Sequence, residues 1–310
     1  MGFKDFFPYL GKGKGPKFWH TPIRRTEVKG PEELGYYVDF SSKTSWSHLD
    51  ERGIPLLYYG SDIGWRYNPT AVAQFGLGSL ERYRRGEGEA YFEMAKAQGR
   101  WLLRQMRERD GVGVWEYDFD IPAYGIKAPW VSALAQGQGI SLLVRLYLVE
   151  NDVSFLETAS KAIESFKRSV EEGGVSRKVA EGIIYEEVPS ERPSCILDGF
   201  IFSLFGLYDY WRVTGREEAL WREGIRTLKA LLPLYDLGFW SRGDLFREKP
   251  KMIASSFYHR LHIYQLEALY DITGEEGFRV YASRWKAYER NSLFRIAAFL
   301  YKLYFKALYY

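Results

Sequence analysis

Cysteine is nearly absent from this chain. Cys195 stands alone among 310 residues, so no internal disulfide can form and no thiolate cluster can hold a metal. That usage fits a reducing compartment. Histidine is almost as scarce. His20, His48, His259 and His262 are the full set, and none stands with Asp or Glu at ligand spacing, so no metal site is expected. No run of about 18 uninterrupted apolar residues occurs, which predicts no spanning helix. Met1 to Pro16 is rich in Gly and Lys without an apolar stretch and does not read as a signal peptide. A cytoplasmic or peripheral-membrane location is therefore expected. An excess of one charge is also lacking. The 43 basic and 40 acidic residues leave a net +3, too little for a chain that neutralises phosphates, so nucleic acid is not an expected partner. Gly86-x-Gly88 and Gly111-x-Gly113 lack the strand–helix setting of a phosphate loop. No Gly-x-Ser-x-Gly elbow occurs, and no cofactor is expected.

Apolar and aromatic residues are plentiful. Hydrophobic residues make up 46% of the chain, enough for a sizeable core, and 24 Tyr, 20 Phe and 10 Trp are present. Most such rings are core material, although ring faces also stack on sugar C–H surfaces. Residues 1–63 read as an irregular arm, broken by Gly and Pro, with short strands at Tyr36–Phe40 and Ile54–Tyr59. A helical pattern begins at Asn68, a good N-cap, with Pro69 at the first helical position.

One unit of sequence then recurs. Its copies begin at Ala71-Val-Ala-Gln-Phe-Gly, Ala133-Leu-Ala-Gln-Gly-Gln-Gly, Ile196-Leu-Asp-Gly-Phe and His262-Ile-Tyr-Gln-Leu. Each is followed by a turn and a more charged second helix. The turns Val213-Thr-Gly-Arg-Glu-Glu and Ile272-Thr-Gly-Glu-Glu stop one helix with Gly and start the next with acid. Helical hairpins of this length bury their faces only against neighbours. The pattern predicts an all-α fold, an incomplete (α/α) barrel or toroid of about four hairpins over residues 64–290. Gly- and Gln-rich helices would face inward, and an open solenoid is the competing arrangement. Val112–Phe119 and Gly182–Val188 read as small β inserts, and Phe239–Phe257 as a loop. Residues 291–310 read as a basic amphipathic helix carrying Arg295, Lys302 and Lys306. It would lie on an acidic membrane surface, pack against a partner subunit in a homodimer, or dock on its own domain.

Several long motifs resemble the C-terminal domain of D-glucuronyl C5-epimerases. These are Ala128-Pro-Trp-Val-Ser-Ala-Leu-Ala-Gln-Gly-Gln-Gly-Ile140, Tyr185-Glu-Glu-Val-Pro-Ser-Glu-Arg-Pro-Ser-Cys-Ile-Leu-Asp-Gly-Phe200, Leu228-Lys-Ala-Leu-Leu-Pro-Leu-Tyr-Asp236, Phe257-Tyr-His-Arg-Leu-His-Ile-Tyr-Gln-Leu266 and Arg284-Trp-Lys-Ala-Tyr288. The resemblance covers roughly Gly64 to Arg290. It implies an αα-barrel that converts glucuronate to iduronate within a polysaccharide. Glu187 matches the family glutamate and Tyr258 a family tyrosine, while Tyr67 belongs to a matching segment before the first helix. A second family tyrosine falls on Val188. A third falls near Trp240 to Asp244, where this chain has none, and an arginine of that loop corresponds to Arg247.

Removing the C5 proton beside a carboxylate would create a dianionic enolate. The carboxylate must therefore be neutralised, with a base on one face of C5 and an acid on the other. A tyrosine serves as base only where a cation lowers its pKa, and His259, Arg260 and His262 lie close to Tyr258 in sequence. Tyr185, two residues from Glu187 and so on the same strand face, is the expected second acid/base in place of Val188. Glu187 would hold the uronate carboxylate in protonated form or act as base. Trp130, Gln136 and Gln138 are expected to contact sugar, and His259 and His262 to line the cavity or cap a helix. A lyase or uronyl hydrolase on a similar ring, or a non-catalytic glycan-binding protein, remains open.

Overall fold

The computed structural model describes residues 18–309, so Met1 to Pro16 lies outside the described residues. Among the described residues, five two-stranded antiparallel sheets are formed: β1 (Arg24–Arg25) with β2 (Val38–Asp39), β3 (Leu56–Tyr58) with β4 (Trp65–Tyr67), β5 (Arg107–Arg109) with β6 (Val112–Val114), β7 (Glu116–Tyr117) with β8 (Trp130–Val131), and β9 (Ser176–Val179) with β10 (Gly182–Tyr185). The rest of the regular structure is helical. Helices α1 (Pro69–Arg84) and α2 (Glu89–Gln105) form the first hairpin, α3 (Ala133–Glu150) and α4 (Val153–Ile163) the second, α5 (Leu197–Thr214) and α6 (Glu218–Tyr235) the third, and α7 (Ser256–Thr273) and α8 (Glu276–Arg290) the fourth. A last helix, α9 (Ser292–Tyr309), follows. The fold is all-α with small hairpin inserts, as the repeats predict.

Local chemistry sets the helix ends. The Asn68 side chain accepts the Ala71 amide at 3.0 Å, with Pro69 at the first position. Gly215 and Gly274 end α5 and α7 at φ +70° and +69°, conformations that favour glycine. These are the Thr-Gly turns read from the sequence.

The first helices of the hairpins form an inner row, in which α1 packs on α3, α3 on α5 and α5 on α7. Glycine sets the closest crossing. A Cβ on Gly137 would lie 2.5 Å from Ser203 Cα, and one on Gly206 would lie 2.5 Å from Gly137 Cα. The backbones of α3 and α5 therefore touch. Beyond this crossing, fully buried Arg145 pairs with Asp209 at 2.5 Å and donates to the Gly35 carbonyl at 2.9 Å, while Tyr37 donates to Asp209. An unpaired charge in that position would be strongly destabilising. The network ties the N-terminal arm to the inner helices.

The arm fills the side between α7 and α1. Strand β1 packs on α7, where Arg25 pairs with Glu267 and Asp271, and the turn Ser41–Ser45 packs on α1. At the other end of the chain, α9 turns Ala298 and Phe305 toward the body but leaves a large apolar face outside. Leu293, Ile296, Leu300 and Leu303 are all exposed, Leu293 by 75%. Arg295 is exposed beside this face, Lys302 donates to the Ile253 carbonyl at 2.8 Å, and the Lys306 side chain lies outside the described residues. Among the described residues no helix is long and apolar enough to cross a membrane.

Candidate active site

The N-terminal turns of all four inner helices meet at one pocket. Thr70 and Gln74 enter from α1, Ser132 and Leu134 from α3, Asp198 and Phe202 from α5, and Phe257, Tyr258 and Leu261 from α7. Tyr117 and Trp130 form another wall, and the arm contributes Trp19, Phe40 and Lys43. Helix N-termini carry partial positive charge, so four of them gathered in one place favour an anion.

Glu187 reaches this pocket because the strand before it ends. Strand β10 stops at Tyr185, and the next two residues diverge. Glu186 turns inward, where its carboxylate accepts the amides of Ser194 at 3.0 Å and Cys195 at 3.1 Å. Glu187 turns the other way and packs on the backbone of Gly199 at the start of α5. A Cβ at position 199 would lie 2.6 Å from Glu187 Cβ. The Glu187 Oε2 atom has no hydrogen-bond partner. Burial pushes this carboxyl well above the usual range, and the nearby carboxylates of Asp198, Glu186 and Asp244 push it further. Burial and these neighbours thus favour its protonated form.

Lys43 is the opposite case. It lines the pocket at 2% exposure, donates to the Phe18 carbonyl at 2.7 Å and lies over the Phe18 ring at 4.3 Å. No carboxylate among the described residues pairs with it, and burial pushes its ammonium from 10.5 down to about 7. A buried cation without a counter-ion is costly unless an anion arrives. Tyr117, hydrogen-bonded to Thr70 at 2.7 Å, stacks face-on against Trp130 at 4.0 Å. One face of Trp130 is thereby covered, and its Nε1 donates to the Phe119 carbonyl. Gln74 donates to Gln138 at 3.0 Å, leaving Gln74 Oε1 without a partner.

The structure brings Glu187, Tyr258 and Trp130 together at this pocket and sends the other sequence-derived candidates elsewhere. Tyr185 lies in the hydrophobic core, donates to the Leu220 carbonyl at 2.8 Å and packs on Phe166 and Phe200. The same-face expectation fails because the strand does not extend to Glu187. Gln136 is spent on backbone, receiving the Trp115 amide and donating to Gly113 O. Gln138 is fully buried behind Gln74. Tyr67 points outward, donating to Asp50 at 2.8 Å. Arg247 sits in the loop before α7 with its guanidinium over Phe246 and does not line the pocket.

His259 stacks on Trp240 at 3.8 Å, and His262 is fully buried with its Nε2 3.8 Å from Asp198. The cationic field expected around Tyr258 is also absent in its expected form. Burial pushes His259 down to about 3, so it is neutral, and exposed Arg260 pairs with Glu289 at 2.6 Å. Gln74 lines the pocket from a Gln-rich helix expected to face inward, whereas nothing in the sequence marks Lys43 or Tyr117 as pocket residues, and Asp198 is marked only weakly. Among the described residues, no group of three or more His, Cys, Asp or Glu is arranged to hold a metal ion.

Residues 109–287 match the family model described as D-glucuronyl C5-epimerase C-terminus. The chain belongs to that family. Trp130, Glu187, Asp198 and Tyr258 lie inside the matched region, whereas Lys43, Thr70 and Gln74 lie before it. A D-glucuronyl C5-epimerase of Caenorhabditis elegans is 34% identical over 208 residues, covering 61% of this chain and 33% of that protein. The chain thus spans about a third of that relative's length. An uncharacterized protein of Methanocaldococcus jannaschii is 29% identical over 262 residues, covering 77% of this chain and 84% of its own.

Proposed function

We propose that this pocket epimerises C5 of a uronic acid residue in a polysaccharide, converting glucuronate to iduronate. The observation that carries the reading is the pairing of a buried ammonium lacking a counter-ion with a buried carboxylic acid lacking a hydrogen-bond partner, in a family of C5-epimerases. Together they suit a carboxylate that must be neutralised before the adjacent carbon gives up its proton. Lys43 supplies charge to the uronate carboxylate, and protonated Glu187 donates a hydrogen bond that strengthens as the enolate forms. Tyr258, at the first turn of α7, exchanges a proton with C5. Trp130 and Gln74 hold the sugar.

The test uses an unsulfated glucuronate–glucosamine polymer in heavy water. Deuterium at C5 together with new iduronate signals is the expected result. Ultraviolet absorbance from an unsaturated uronate would show a lyase instead. Val188, standing where the family places a tyrosine, favours a second reading of glycan binding without chemistry. Binding with no exchange at C5 would select that one.

A further inference from the structure

Helix α9 has one apolar side against the body and a second in water. Ala298 packs with Trp240 and Ile253, and the Tyr301 ring meets Phe239 of the loop before α7. On the far side, Leu293, Ile296, Phe299, Leu300, Leu303 and Tyr304 are 48–75% exposed. At about 100° per residue these six positions span an arc of about 140°. No charged residue falls within it. The positions of Arg295, Lys302 and Lys306 lie together along one edge of the arc, within about 40° of one another.

Contiguous exposed apolar surface of this kind marks an interaction site, and charge decides the occupant. Asn291 to Tyr310 contains three cations and no Asp or Glu, so the edge of the face calls for an anion. Lys302 is fixed there by its bond to the Ile253 carbonyl at 2.8 Å. A second copy of the chain fits less well. Leu293, Ile296, Leu300 and Leu303 have the three-and-four spacing of a coiled-coil seam, but Phe299 and Tyr304 widen the face beyond one. The positions flanking that seam are Ser292, Ala297, Phe299, Tyr304 and Lys306, which offer no pairs of opposite charge. A bilayer surface suits both features. It takes up a broad apolar face at shallow depth, and its acidic head groups meet the cations at the edge.

We propose that α9 docks the chain on an anionic lipid bilayer, lying in the plane of the interface with Leu300 near the centre of the buried face. The helix is not long and apolar enough to cross a bilayer, so it lies in the surface. The proposal is independent of the C5 reaction.

The test uses the full chain with a probe on the face itself. Cys195 is buried and is the one native cysteine, so Leu300→Cys can be labelled selectively with an environment-sensitive fluorophore. On vesicles of equal parts phosphatidylglycerol and phosphatidylcholine, its emission should shift to the blue and be quenched by brominated acyl chains. Arg295→Gln should weaken partitioning onto these vesicles about fivefold. Ile296→Glu combined with Leu303→Glu should weaken it at least about a hundredfold and leave the melting temperature unchanged, since both side chains are exposed. A blue shift that grows with protein concentration without lipid would assign the face to a second copy and overturn the proposal. Equal partitioning onto pure phosphatidylcholine vesicles would overturn it too, as would a double variant that binds like wild type.

Discussion

Lys43 allows stability and function to be separated by one substitution. The folded chain holds its ammonium in a buried site, lowering it from 10.5 to about 7. That drop corresponds to about 5 kcal/mol of stability forgone when the side chain is protonated in both states. Lys43→Met removes the charge and keeps the length of the side chain. It also removes the donor to the Phe18 carbonyl, a loss of about 1 kcal/mol, and the cation over the Phe18 ring. The variant should therefore be more stable than wild type by about 3 kcal/mol at pH 6. The sign follows from linkage. A lysine with a depressed folded pKa adds stability above its unfolded pKa, and that stability is lost as pH falls through the folded value. Wild type should gain stability from about pH 7 to about pH 10.5, whereas Lys43→Met should lack that rise, so the difference should shrink with rising pH and reverse above about pH 10, where the lost hydrogen bond leaves the variant the less stable. Urea denaturation at pH 6, 8 and 10 measures this directly. The same variant should bind a uronate polymer at least about tenfold more weakly, because one charged partner is gone. A Lys43→Met chain less stable than wild type at pH 6, or one that keeps full polymer affinity, would refute the reasoning.

Other expectations follow from the same geometry. Gly199→Ala should displace Glu187, whose Cβ would lie 2.6 Å from the new methyl. Activity should drop at least about tenfold in steady-state assays, and the crowding against Glu187 should cost about 1–3 kcal/mol in urea denaturation. Tyr185→Phe removes a hydrogen bond to the Leu220 carbonyl. It should cost about 1 kcal/mol in denaturation and leave turnover unchanged; a large fall in turnover would return Tyr185 to the chemistry. The apolar outer face of α9, beside exposed Arg295 and within a segment free of Asp and Glu from Asn291 to Tyr310, should draw the chain onto vesicles containing phosphatidylglycerol. Equal co-sedimentation with neutral phosphatidylcholine vesicles would remove the charge argument.

The hairpins were legible because their signals are local. An Asn-Pro start, Thr-Gly stops and a recurring apolar stripe each act within a turn or two of helix. The pocket was legible only where a long motif carried it, as at Glu187 and Tyr258. Gln74 and Gln136 occupy matching positions in two repeats, and periodicity cannot tell them apart. Only packing decides that one faces the pocket while the other holds the backbone of a β insert. Lys43 carried no signal at all in the sequence, because nothing near it announces that a distant helix bundle will enclose it. Asp198 carried only a weak one, an acid in the first turn of an inner helix whose apolar stripe surrounds it.

The placement of the arm makes the pocket a joint between opposite ends of the chain. Lys43 comes from the turn that packs on α1, Tyr258 from the last hairpin and Glu187 from the middle. A ligand that neutralises Lys43 while touching Glu187 and Tyr258 would act as a clasp across segments far apart in sequence. Occupancy and docking of the arm are then one equilibrium. Bound polymer should slow proteolysis of the arm, and anything that loosens the arm should weaken binding by the same factor.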